Sequence, residues 1–148
     1  MSHSPAPVTW EFRRQAIVCS EALLRILRQA LATHGDDLES TVIYLAVACG
    51  ATSGLLRDPG LVAAPPPPGR LPQDIYGSVS RRQIAASTGL PRETVRRKIA
   101  ALLERGDLVA TGARVGIRPG LLEDARNAAF AQTLLREFAR AGAQVTGP

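Results

Sequence analysis

The chain is poor in aromatics, cysteine and histidine, and each shortage removes a class of function. Aromatic residues make up 4% of its 148 residues. Leu, Ile, Val and Ala must therefore fill the core, and the shortage of β-branched runs tilts the chain toward helix. Cys19 and Cys49 fall in helical patterns at no metal-ligand spacing, so both are expected to be buried free thiols. His3 lies in a polar, proline-containing start, and His34 sits at a helix end before Gly35. Neither has Cys, Asp or Glu at metal or triad spacing. Asp36 and Asp37 read as helix caps rather than an acid–base pair. There is no G-x-x-x-x-G-K-[ST] loop and no strand-linked G-x-G-x-x-G. No enzyme, metal or cofactor is expected.

Long apolar runs are also missing. The longest, Val42 to Cys49, falls well short of the roughly 20 residues a bilayer demands. Met1 to Pro7 carries no basic cluster followed by an apolar stretch. These features predict a cytoplasmic protein with no membrane partner, in one domain with a modest core.

Basic charge is abundant, and it is concentrated. The net charge is +5. Residues 1 to 79 hold six arginines against seven acids, and residues 119 to 148 hold three against three. Residues 80 to 118 hold nine bases against three acids, so the surplus sits in one central segment. A local basic surplus points to a polyanion.

The expected fold is mainly α. Residues 1–53 read as an N-terminal helical region. Thr9 caps a first helix, Trp10 to about Ala32, with apolar stripes Ala16, Cys19, Leu23, Ile26, Ala30 and Ile17, Leu24, Leu27, Leu31. That is more apolar surface than one contact face uses. Asp36 and Glu39 have capping-box spacing for a second helix to about Thr52, apolar nearly all round and so expected in the core. Residues 54–79, with Gly54, Pro59, Gly60, Pro65 to Pro68, Gly69 and Pro72, form a connection that cannot be one helix. Residues 119–148 supply a last helix, Leu121 to about Ala141, ended by Gly142. Its apolar residues are Leu122, Ala125, Ala129, Leu134, Phe138, Phe130 and Leu135.

Residues 80–118 carry the chemistry. Ser80 and Gln83 have capping-box spacing, which starts a helix at Arg81. Gly89 ends it, Leu90 plugs the turn, and Pro91 opens the next helix, where its missing N–H costs nothing. Val95, Ile99, Leu102 and Leu103 make an inward stripe, and Ala85 permits a close crossing. The pattern predicts a helix-turn-helix. Arg92, Glu93, Arg96 and Arg97 face away from the stripe, at the end of the second helix that would meet base edges in a major groove. Ser80, Arg81, Arg82, Gln83 and Lys98 are candidates for phosphate, which positions without reading sequence. After Gly106, Asp107 to Thr111 and Arg114 to Arg118 read as a hairpin turning at Gly112-Ala113. Arg114, near its tip, is a further backbone or minor-groove candidate.

Helix, helix, hairpin is the order of a winged helix-turn-helix, and the segment resembles that domain in bacterial transcription regulators. Arg92-Glu93-Thr94-Val95-Arg96-Arg97 resembles the recognition helix of the Crp/Fnr family, which carries Arg-Glu-Thr-Val-x-Arg after a glycine turn. The resemblance implies that Arg92, Glu93 and Arg97 read bases and that Thr94 touches phosphate. It covers about residues 80 to 110, and no β-rich cyclic-nucleotide domain precedes it. Helices flanking a central winged unit are more similar to the MarR-type layout. The function expected is sequence-specific duplex DNA binding in transcription regulation, by a two-fold homodimer joined through the first and last helices. The alternative is a winged helix that docks protein and reads no DNA.

Overall fold

The computed structural model describes residues 7–35, 37–68, 71, 75–121 and 123–147. His3, Asp36, Gly69, Pro72 and Leu122, all named above, lie outside the described residues.

Helix α1 (Trp10–His34) begins where predicted, with the Thr9 hydroxyl accepting from the Phe12 amide at 3.2 Å. It runs two residues beyond Ala32 and stops at Gly35, whose φ of 86° suits a residue without Cβ. The cap of α2 (Leu38–Thr52) is Asp37 rather than Asp36. Its carboxylate accepts from the Glu39 and Ser40 amides at 3.1 and 3.3 Å. The capping box expected between Asp36 and Glu39 lies partly outside the described residues; the Glu39 carboxylate lies 3.4 Å from Lys98 Nζ.

A 3-10 turn (Leu55–Arg57) and a short helix α3 (Pro59–Ala63) lead into the prolines. Strand β1 (Val79–Ser80), absent from the sequence reading, then enters α4 (Arg81–Thr88), α5 (Arg92–Glu104), β2 (Leu108–Thr111) and β3 (Arg114–Ile117). The three strands form one antiparallel sheet in the order β1–β3–β2, with Val79 opposite Val115 and Leu108 opposite Ile117. Helix α6 (Ala125–Thr146) starts four residues after Leu121, capped by Asp124, and passes straight through Gly142.

Two apolar clusters hold the chain. The larger joins Ile43 and Val47 of α2 to Ile84 of α4, Val95, Ile99 and Leu102 of α5, and Leu108 and Val115 of the sheet. So α2, grouped with α1 in the sequence reading, belongs to the packed unit that holds residues 80–118. Gly50 makes this possible: a Cβ there would meet Val79 Cγ2 at 2.6 Å. The backbone of β1's approach lies just as close, with the Gly77 amide donating to the Ala51 carbonyl at 2.8 Å.

The smaller cluster is Ile26 and Ala30 of α1 with Phe130 of α6. Above it the two long helices run antiparallel as an arm. Arg14 donates to the Gln144 carbonyl at 2.7 Å, and Arg25 pairs with the buried Glu137 carboxylate at 2.7 Å. The two cysteines are exposed rather than buried. Cys19 lies on a face of the arm that α6 does not cover, and Cys49 lies on the side of α2 turned from the main core.

Among the described residues, Leu38–Arg57 has the length and apolarity of a bilayer-crossing segment. A central core helix has the same composition, and Ile43, Tyr44, Val47 and Ala51 of this one are buried within the fold.

Candidate nucleic-acid interface

The helix pair α4–α5 forms for local reasons. At its start, Ser80 Oγ accepts from the Gln83 amide at 3.2 Å while Gln83 Oε1 accepts from the Ser80 amide at 2.9 Å. This reciprocal cap satisfies two amides that a helix end leaves open. Gly89 ends α4 at φ 70°, its amide donating to the Ala85 carbonyl. Pro91, at φ −57°, stands just before the first residue of α5 rather than inside it. No side chain caps α5, so its first-turn amides remain open to an acceptor.

Burial then orients the functional face. Val95, Ile99 and Leu102 are fully buried. At 3.6 residues per turn this turns Arg92, Glu93, Arg96, Arg97 and Ala100 to solvent, and all five are exposed.

The N-terminal ends of α4 and α5 meet around a cleft of about 290 Å³ lined by Arg81, Arg82, Arg92, Glu93 and Arg96. Four guanidinium groups and one carboxylate thus share one concave surface. Glu93 holds Arg96 in a two-pronged pair at 2.9 and 2.5 Å. The hydrogen bond from Arg96 lowers the Glu93 pKa from its ordinary value, and Glu93 raises that of Arg96. Both side chains are mostly exposed, at 74% and 65%, so water competes for the pair and it opens at little cost. Arg82, Arg92 and Arg97 have no hydrogen-bond or ion-pair partner among the described residues.

No protein-family model, curated protein or solved structure matches this chain.

The remaining candidates divide. Arg81 stays beside the cleft and donates to the Ala113 carbonyl at 3.1 Å, tying α4 to the β2–β3 turn. Thr94 is half-buried one residue beyond the cleft's Glu93. Ser80 and Gln83 are spent on capping α4. One candidate is placed differently from the sequence reading. Lys98 faces α2, where it pairs with Asp37 and Glu39 and is 20% exposed, so it is not presented to a phosphate. Its position three residues after Val95 puts it on the buried side of α5.

Arg114, next to the Gly112-Ala113 turn, is exposed near the hairpin tip and also braces the joint to α4. It begins β3 directly opposite Ser80, and that register turns it back onto α4. There it donates to the Ser78 carbonyl at 2.6 Å, Ser78 Oγ at 3.0 Å and Gln83 Oε1 at 3.3 Å. The sequence does not single out Ser78, and it marks Asp37 as a helix cap but not as the partner of Lys98. Ser78 offers no periodic signal.

Proposed function

We propose that the chain is a winged-helix protein that binds duplex DNA and regulates transcription. In this reading α2, α4 and α5 are the three helices of the winged unit. Helix α5 enters the major groove and the β2–β3 hairpin lies along the flanking backbone. The observation that carries the proposal is the cleft where Arg81, Arg82, Arg92 and Arg96 converge beside unpaired Arg97. Four clustered guanidiniums repel one another, so the surface is favourable when a polyanion covers it. Arg92, Arg97, Glu93 and Arg96 are the base-reading set: arginine bonds guanine O6 and N7 in two-pronged fashion, and glutamate accepts from cytosine N4. In the free protein the Glu93–Arg96 pair holds two of the four together. Arg81 and Arg82 meet phosphate. Arg114 stiffens the joint between hairpin and α4.

A two-fold pair joined through α1 and α6 completes the reading, and such a pair matches a palindromic site. The test is selection of bound duplexes from a random pool at stated salt, followed by titration of the winner. Arg97→Ala should relax preference at one base pair and cost about 1–3 kcal/mol. Arg82→Ala should weaken all duplexes alike and reduce the slope of log K against log salt by about 1. Absence of salt-sensitive retention on any duplex would overturn the proposal and favour a protein-docking winged helix.

A further inference from the structure

Beside the apolar cluster that joins α1 to α6 lies a polar groove of about 360 Å³, lined among the described residues by these two helices alone. Arg25, Arg28 and Gln29 stand at i, i+3 and i+4 on α1, as do Thr133, Arg136 and Glu137 on α6. Each set therefore shares one face of its helix. Three guanidiniums stand against one carboxylate, a surplus of two positive charges. The Glu137 carboxylate is buried, and its oxygens are divided between the helices. Oε2 accepts from Arg25 Nε at 2.7 Å, and Oε1 lies 3.6 Å from Arg136 Nε. Glu137 thus holds two guanidiniums at the groove and leaves the third uncompensated.

Two donors in the groove are left open. Arg28 has no hydrogen-bond or ion-pair partner among the described residues. Thr133 is buried, at 8% exposure, yet its hydroxyl proton has no acceptor among them. Thr33, Thr41, Thr52, Thr88 and Thr146 each donate to the carbonyl four residues back. Thr133 instead accepts, from Arg136 Nη2 at 3.4 Å, which leaves its own proton to give. We infer that this groove binds a phosphate group in its doubly charged form, free or as the monoester of a small molecule. Such a group carries close to two negative charges at pH 7 and three acceptor oxygens. These match the surplus charge and the three donors Arg28, Arg136 and Thr133, and arginine takes phosphate in two-pronged fashion. A carboxylate offers one charge and one oxygen fewer. Because Arg28 and Thr133 stand on different helices, the anion ties α1 to α6. The groove shares no residue with the α4–α5 cleft, so the inference stands independently of DNA binding.

The test is isothermal titration calorimetry of the full chain at neutral pH with inorganic phosphate, glycerol phosphate and acetate, ionic strength held constant with chloride. Both phosphates should bind saturably and acetate should not. The tighter of the two phosphates tells whether the group arrives free or esterified. Arg28→Gln should raise the Kd about tenfold, the scale of a hydrogen bond to a charged group. Thr133→Val, which leaves the net charge unchanged, should raise it as well, with the helical circular dichroism retained in both variants. Arg92→Gln, which alters the α4–α5 cleft, should bind phosphate as the wild type does. Absence of saturable binding by either phosphate at millimolar concentration would overturn the site. So would acetate binding as tightly as phosphate, or an affinity that falls in Arg92→Gln and holds in Arg28→Gln.

Discussion

Single residues couple charge to folding at two joints. Asp37 caps α2 and also receives Lys98 from α5, and that ammonium, with Ser40, lowers its carboxyl pKa to about 2. A carboxylate whose folded pKa lies below its unfolded one adds stability above the unfolded value, near pH 4, and loses it as pH falls toward 2. Asp37→Asn should therefore cost about 1 kcal/mol at pH 7, the scale of a lost charged cap and a part-exposed pair. The gap in urea midpoint between wild type and variant should close between pH 4 and pH 2. A gap independent of pH would show that Lys98 contributes nothing.

His34 works in the opposite range. Its ring lies 4.1 Å from that of Tyr44 and meets Phe130 edge-on at 5.7 Å, and its Nε2 is buried without a hydrogen-bond partner among the described residues. Burial lowers its pKa, opposed by Asp107 and assisted by Arg126 and Arg105. The unfolded chain thus takes up the proton first. Stability should fall as pH drops below about 6.5, the ordinary histidine value, and level off below the folded value. His34→Phe, which keeps the ring contacts, should remove this slope from thermal midpoints recorded between pH 7.5 and 5. An unchanged slope would place the titrating group elsewhere.

At the scale of elements, the crossing of β1 over α2 makes an unusual demand. Glycine inside a helix ordinarily costs about 1 kcal/mol relative to alanine, so Gly50→Ala would be expected to stabilise. Here the added methyl would sit 2.6 Å from Val79 Cγ2, and the stiff valine has little room to rotate. Gly50→Ala should instead destabilise by about 1–3 kcal/mol, as overpacking does, read as a lower urea midpoint at unchanged m-value. A rise in midpoint would mean that β1 does not bear on α2. This joint was also what the sequence concealed. Caps, glycine stops and apolar spacing placed α4, the turn, α5 and the hairpin to within a residue or two, because each is written in local chemistry at Ser80, Gln83, Gly89 and Gly112. The two-residue strand β1 has no period of its own and exists only by pairing with β3. Membership of α2 in the same core is likewise a tertiary fact. An apolar pattern says that a helix is buried, not against what. Lys98 was misplaced for the same reason. Its charge was legible, whereas Asp37, the partner that turns it inward, is distant in sequence.

The arm raises the question at the scale of the whole molecule. Helices of 25 and 22 residues pack along each other, yet two helices side by side can cover only their facing stripes. Val8, Trp10, Phe12, Ile17, Leu23, Leu24, Leu135 and Phe138 remain exposed. Trp10, Ile17, Leu24 and the half-buried Leu31 recur every seven residues, the spacing that keeps one line of a helix against another helix. The outer face of such a pair measures about 700 Å² in projection from helix length and width, close to the roughly 800 Å² per partner of a stable interface. A second copy is the occupant that fits, since an identical two-helix face would supply the same apolar line in return.

The protein should therefore sediment as a dimer at micromolar concentration. Trp10 is the chain's single tryptophan and 73% exposed in one copy, so its emission should shift to the red on dilution through the dissociation constant. Ile17→Glu with Leu24→Glu should yield a folded monomer whose helical circular dichroism is retained. If the proposed DNA reading holds, that monomer should still bind a half-site and lose its preference for palindromes, because the winged unit is untouched. A dimer that persists in the double variant with Trp10 still responding to dilution would place the interface on other faces of α1 and α6. A wild-type monomer at high micromolar concentration would show that a second copy does not cover the arm's apolar line.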